Sequence, residues 1–156
     1  MKGLALRKAK SYWATPIFVK LWLLPVWILL GIARLLVLFV PFRTISEYLG
    51  ENNGTAARIP LLTSQQTSNA LLIGKTIRLA ARYAPWKANC FPQAIVAAIM
   101  LKLYKTPYSI FFGLRRETSP LTGLAAHAWT MSGRVAVTGG HSFRSFTVVG
   151  VFTQWD

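Results

Sequence analysis

Residues 90–104 read CFPQAIVAAIMLKLY, and the reading of this stretch decides the fold. From Phe91 onward nearly every side chain is apolar, as a helix buried on most sides requires. Pro92 belongs in a first helical turn, where its missing N–H leaves no bond unmade. The stretch therefore predicts a buried helix over 91–104, with Cys90 immediately before it. Upstream, Leu71, Leu72, Ile77 and Ala81 recur at near-helical spacing and predict a second helix over 67–84, stopped by Pro85. Downstream the periodicity changes. Residues 107–115 alternate, with Tyr108, Ile110, Phe112 and Leu114 on one face. Residues 124–131 and 134–138 flank a short turn at Ser132-Gly133, and 143–152 form another β-branched and aromatic run. Helix, buried helix and then an antiparallel meander make residues 66–156 an α+β domain with helices packed on an antiparallel sheet.

Two further regions precede this domain. Residues 1–50 form a basic and apolar helical region, and residues 51–65 (ENNGTAARIPLLTSQ), polar with Gly54 and Pro60, read as a linker. From Leu21 to Phe39 the only charge is Arg34, a length sufficient to span a bilayer. The insertion energy is marginal: the Leu, Ile, Val and Phe side chains favour entry by about 6 kcal/mol, and Arg34, Pro25 and Gly31 oppose it by roughly 4–5 kcal/mol. Lys2, Arg7, Lys8, Lys10 and Lys20 precede the segment, so a true span would hold that end in the cytoplasm and put residues 51–156 outside. A signal peptide fits poorly, because no small-x-small cleavage site follows before Gly50. The segment is expected to form one or two helices, broken near Pro25, lying on the inner face of the membrane or against a partner of a cytoplasmic protein.

The 156 residues are 53% apolar, enough for a packed core, and carry 18 Lys and Arg against 4 Asp and Glu, a net charge of +14. That surplus points to an acidic or polyanionic partner and does not itself choose among nucleic acid, an anionic membrane and an acidic protein. Cys90 is the single cysteine, which excludes an internal disulfide. With two His and four acids in the whole chain, a metal site is poorly supported and no cofactor is expected.

Acid–base chemistry near neutral pH must then draw on a short inventory, in which Cys90 and His127 stand out. The free N–H groups and dipole of a helix N-terminus favour a thiolate there, and the same N–H groups suit an oxyanion in acyl transfer. His127 lies in a strand, AHAWT, with Ala125, Trp129 and Met131 on its face. Where that face covers the Cys90 helix, imidazole and sulfur make an activated nucleophile. A cysteine opening a helix, followed by a histidine two or three strands on, is the chain order of papain-like and transglutaminase-like cysteine enzymes. Each residue alone also fits a packing role, Cys90 as a buried thiol and His127 as a core histidine.

The group that orients the imidazole stays open. A turn at Ser132-Gly133 sets Thr138 opposite His127, and Thr138 can accept a hydrogen bond but carries no charge. Glu117 sits beside Arg115 and Arg116, and Asp156 is chain-terminal, so neither acid is compelling. His141 reads as an exposed loop histidine. Gln93 is a candidate donor to an oxyanion. Trp129 and Trp86 either wall a substrate groove or pack the core.

These residues resemble a known family. PW-x3-C-x2-QA over 85–94, G-x-RR over 113–116, AHAW over 126–129, V-x-V-TGG over 135–140 and FTVV-x-x-F over 146–152 are similar to the stand-alone leader-peptidase B family of lasso-peptide biosynthesis. So is the Leu-rich helix ending in Pro41-Phe42-Arg43 and followed by Leu49-Gly50. The resemblance implies a transglutaminase-like fold, with Cys90 as nucleophile and His127 as general base. It further implies removal of the leader from a ribosomally made precursor peptide, together with a separate leader-recognition protein and a macrolactam-forming cyclase resembling asparagine synthetase. No nucleic acid is implied. The family's acid falls about a dozen residues after the histidine, where this chain has Thr138-Gly139. Two rival functions use the same observations: a transglutaminase-like acyl transferase, and a non-enzymatic basic membrane-associated binding protein.

Overall fold

The structure is a computed structural model that describes residues 15–116, 123–141 and 143–155. The basic residues Lys2, Arg7, Lys8 and Lys10, together with Glu117 and Asp156, lie outside the described residues. Helix α1 (Ile17–Phe39) is continuous through Pro25, so the expected break near Pro25 does not occur. A proline removes one N–H from the ladder, and here the turns that follow are pinned by Val26, Leu30 and Ala33, all buried. Pro41 ends the run and a short helix α2 (Phe42–Ser46) follows.

Helix α3 (Ser64–Arg82) starts at a capping box, in which Thr63 Oγ1 accepts from the Gln66 amide and the Gln66 side chain accepts from the Thr63 amide. Such a cap satisfies two donors that a helix start leaves unpaired. Helix α4 (Cys90–Leu103) is buried along most of its length, from Ala94 through Ala98 and again at Met100 and Leu101. Both helices lie within three residues of their predicted positions.

The sheet contains β1 (Glu51–Asn52), β2 (Tyr108–Arg116), β3 (Leu124–Ser132), β4 (Val135–Thr138) and β5 (Thr147–Gln154), antiparallel and in the order β1-β5-β2-β3-β4. It is not the simple meander expected. Strands β2, β3 and β4 follow one another, but β5 returns across the sheet to pair with β2. Val151 on β5 is completely buried, a position an outer edge beside β4 would not provide. Residues 51–52, within the expected linker, form the short strand beyond β5.

The sheet has two differently used faces. Tyr108, Ile110, Ala128, Val137 and Phe152 pack with Leu30, Ile73, Ile77, Val96 and Met100 of the helices. Burying each large aliphatic side chain contributes about 1.5–3 kcal/mol. The opposite face holds a smaller cluster of Phe111, Trp129 and Val151, with Met131, Phe143, Phe146 and Val148 around it. Gly74 lets α3 press onto β4, since a Cβ there would lie 2.8 Å from the Val137 carbonyl oxygen. The chain is thus α+β with an antiparallel sheet and an apolar N-terminal helix, as expected.

The outward side of α1 carries Ile17, Leu21, Leu24, Ile28, Ile32, Leu35 and Leu38, all exposed. By length and composition this helix is capable of crossing a membrane, although its other side is built into the core.

Candidate active site

Cys90 is the first residue of α4 and is half-buried. Its position follows from the local sequence. Asn89 is extended and caps the helix without a side-chain bond, and the Gln93 amide closes the first turn on the Asn89 carbonyl at 3.3 Å. Pro92 has no N–H. The amides with no intrahelical acceptor are therefore those of Cys90 and Phe91, at the positive end of a 14-residue helix.

His127 lies on the sheet face with Trp129, not on the face that the helices cover. Its ring stacks on Trp129 at 5.8 Å between centroids and meets Phe146 at 5.0 Å. Face alternation alone would thus separate it from α4, whose neighbours on β3 are even-numbered, such as Ala128. The sheet edge supplies another route. Strand β4 leaves the ladder at Thr138, paired with Thr130, so the next stretch of β3 has no neighbour strand on that side. There His127 and Cys90 line the same two cavities.

The β3–β4 register corrects the expectation for Thr138. The turn is Gly133-Arg134, with Ser132 opposite Val135, and a bulge between Thr130 and Met131 shifts the pairing by one more. Thr138 consequently faces Thr130, three residues from His127. Its hydroxyl is buried with no hydrogen-bond partner among the described residues. What meets the imidazole is the Gly139 carbonyl, 2.9 Å from Nε2. A carbonyl only accepts, so Nε2 carries the proton in this arrangement and Nδ1 is the basic ring atom of the neutral imidazole. Gly139 has φ +70°, and a Cβ there would lie 2.6 Å from the Ala128 carbonyl oxygen. Only glycine places a carbonyl here without strain.

The remaining candidates separate. Gln93 lines the larger cavity with Cys90, while its Nε2 donates to the Ala88 carbonyl at 2.7 Å. Trp129 is 3% exposed, stacks on Phe111 at 5.5 Å and borders neither cavity. It packs the sheet and backs the imidazole, and does not wall a groove. Trp86 meets Trp27 at 4.5 Å, against α1. His141 is exposed and lines the larger cavity.

Sequence reading missed three contributors to this region: Arg78 and Arg82 on α3, and Phe42 on α2. The two arginines are one helical turn apart, which was a readable signal for a shared face. Nothing in the pattern of Phe42 distinguishes it from any apolar neighbour. Among the described residues no three His, Cys, Asp or Glu side chains come together.

A family model described as the transglutaminase-like superfamily matches residues 36–151, most of the chain and both cavity-lining residues Cys90 and His127. No curated protein and no solved structure gives a significant match.

Proposed function

Because the chain belongs to the transglutaminase-like superfamily, we propose that it is a cysteine peptidase that removes the leader from a lasso-peptide precursor, with Cys90 as nucleophile and His127 as general base and acid. The superfamily accommodates both cysteine peptidases and acyl transferases. The observation that carries the reading is that Cys90, at a helix start, and His127 line the same cavities. The motifs around them support the finer identity.

The chemistry follows from the groups present. His127 Nδ1 takes the thiol proton, and sulfur attacks the scissile carbonyl carbon to give a tetrahedral oxyanion. The amides of Cys90 and Phe91 donate to that oxygen. Collapse breaks the C–N bond, the leaving amine takes the proton from His127, and a thioester remains on Cys90. Water then attacks the thioester with His127 as base, releasing the carboxylate and restoring the thiol. The Gly139 carbonyl keeps Nε2 protonated and fixes the ring plane. As a neutral dipole it stabilises imidazolium less than a carboxylate would.

The test is incubation with a lasso precursor and a leader-recognition protein, followed by mass spectrometry. The expected product is free leader plus core peptide. Cleavage that persists in Cys90→Ala sinks the proposal. The superfamily assignment also favours a second reading, acyl transfer to an amine. Its product is a crosslink with loss of ammonia, whereas hydrolysis gives a new carboxylate. Within the first reading the partners are the precursor, the recognition protein and the asparagine-synthetase-like cyclase.

For location we propose the cytoplasm, with the outward face of α1 against the anionic inner surface of the membrane. Eight exposed aliphatic side chains along α1 and a net charge of +14 support this. The third reading, a basic membrane-associated protein without activity, predicts that Cys90→Ala and His127→Ala are silent and that deletion of 16–42 abolishes function.

A further inference from the structure

The two cavities that meet at Cys90 and His127 have opposite chemistry. The larger, about 590 Å³, is lined by Arg78, Arg82 and His141 beyond the two central residues. The smaller, about 300 Å³, is lined by Phe42, Phe91, Phe112 and Val149, and among the described residues no Lys, Arg, Asp or Glu borders it. A chain lying across Cys90 therefore meets a cationic wall on one side and an aromatic one on the other.

Among the described residues the cationic wall is uncompensated. No carboxylate of the described residues lines the larger cavity; the acids among those residues are Glu47, just after α2, and Glu51, on β1. Arg78 is held in place, since its Nη1 donates to the Val137 carbonyl at 3.1 Å, and a guanidinium has four further N–H donors. Arg82 follows one turn later on α3, so both guanidinium groups serve one cavity. Paired guanidinium groups suit a carboxylate, which they bind through charge-assisted and bidentate hydrogen bonds.

We propose that Arg78 and Arg82 bind a carboxylate of the substrate peptide, an Asp or Glu side chain on one side of the scissile bond, while the aromatic cavity takes a bulky apolar side chain on the other. The peptide part rests on the peptidase reading; the anion preference beside Cys90 does not, and the experiment separates them.

The first arm uses the lone cysteine. Cys90 is alkylated with iodoacetate and with iodoacetamide, the thiolate displacing iodide in each case, and the two rates are compared as a ratio. An arginine-lined cavity concentrates the anionic reagent, an effect on the order of tenfold or more at low ionic strength. The ratio is expected to fall by about that factor in Arg78→Gln/Arg82→Gln and on raising the salt. Arg82→Gln alone, whose side chain makes no hydrogen bond to the described residues, is expected to give part of the fall with an unchanged melting temperature. A ratio identical in wild type and both variants overturns the proposal. The second arm uses fluorogenic peptides that differ only in Asp, Asn or Lys at each position flanking the scissile bond. An Asp preference of roughly tenfold in kcat/KM at one position is expected, inverting toward Lys in Arg78→Glu/Arg82→Glu. Peptides cleaved without charge preference overturn the proposal and leave the peptidase reading standing. An arginine-dependent alkylation ratio with no peptide cleaved supports the anion site and removes the peptidase reading.

Discussion

At Gly139 a backbone carbonyl, not an acid, meets Nε2 of His127 at 2.9 Å. Gly139→Ala forces a side chain into a left-handed conformation and against the Ala128 carbonyl. It is expected to cost about 1–3 kcal/mol of stability and to lower kcat more than it raises KM, as steady-state kinetics on the folded fraction will reveal. Thr138 provides the contrast. Its hydroxyl is buried without a partner among the described residues, and Thr138 pairs with Thr130, not His127. Thr138→Val removes an unsatisfied group at nearly constant shape, so turnover is expected within about twofold of wild type and stability to rise by about 1 kcal/mol. Cys90→Ala and His127→Ala are each expected to lower turnover by roughly 10³-fold or more without loss of fold, since neither side chain fills the main core. Cys90 and His127, which line the same cavities, were legible as candidates because a cysteine at a helix start and AHAW are local patterns. The orienting carbonyl was not, because every residue has one and only the register aims it.

At the scale of elements, α1 separates two roles along one helix. Its inner side holds Val19, Val26, Leu30 and Ala33, all buried, and the outer side exposes a continuous aliphatic stripe. Leu30→Ala is expected to cost about 2–5 kcal/mol in urea denaturation. Leu21→Gln and Ile28→Gln, on the outer side, are expected to change stability by no more than about 0.5 kcal/mol, yet to weaken cosedimentation with anionic vesicles. Equal destabilisation by inner and outer substitutions would remove the division of labour. The apolar, helical character of this segment was readable, but its near-uniform apolarity hid which side faces inward. The expected break at Pro25 failed for a related reason: packing of the following turns holds the helix through the lost bond.

For the molecule as a whole, Tyr108 ties the sheet to the N-terminal region. It is fully buried at the centre of the core, and its hydroxyl donates to the Leu49 carbonyl at 3.1 Å. Burial raises its ionisation well above the ordinary value of 10.0, because the phenolate loses its hydration. The folded state therefore binds this proton more tightly than the unfolded chain. The associated stability is fully present below pH 10, the unfolded value, and is lost as pH rises from there toward the folded one. Tyr108→Phe is expected to cost about 1 kcal/mol at neutral pH through the lost hydrogen bond and to flatten the alkaline decline. Thermal unfolding between pH 7 and pH 11 measures both effects, and an equally steep decline in the variant would assign it to other groups.

By itself the amino-acid sequence determined the α+β class, both central helices to within three residues, the strand positions and the two residues proposed for chemistry. Each of these depends on contacts near in sequence: apolar period, proline placement, and a cysteine just ahead of a buried run. The return of β5 to β2, the Thr130–Thr138 register, the Gly139 carbonyl on His127 and the arginine wall opposite the aromatic one were decided only by tertiary structure. They depend on which strand finds a neighbour, on one bulge that displaces every later pair, and on helices crossing a sheet edge, and none of these leaves a periodic trace along the chain.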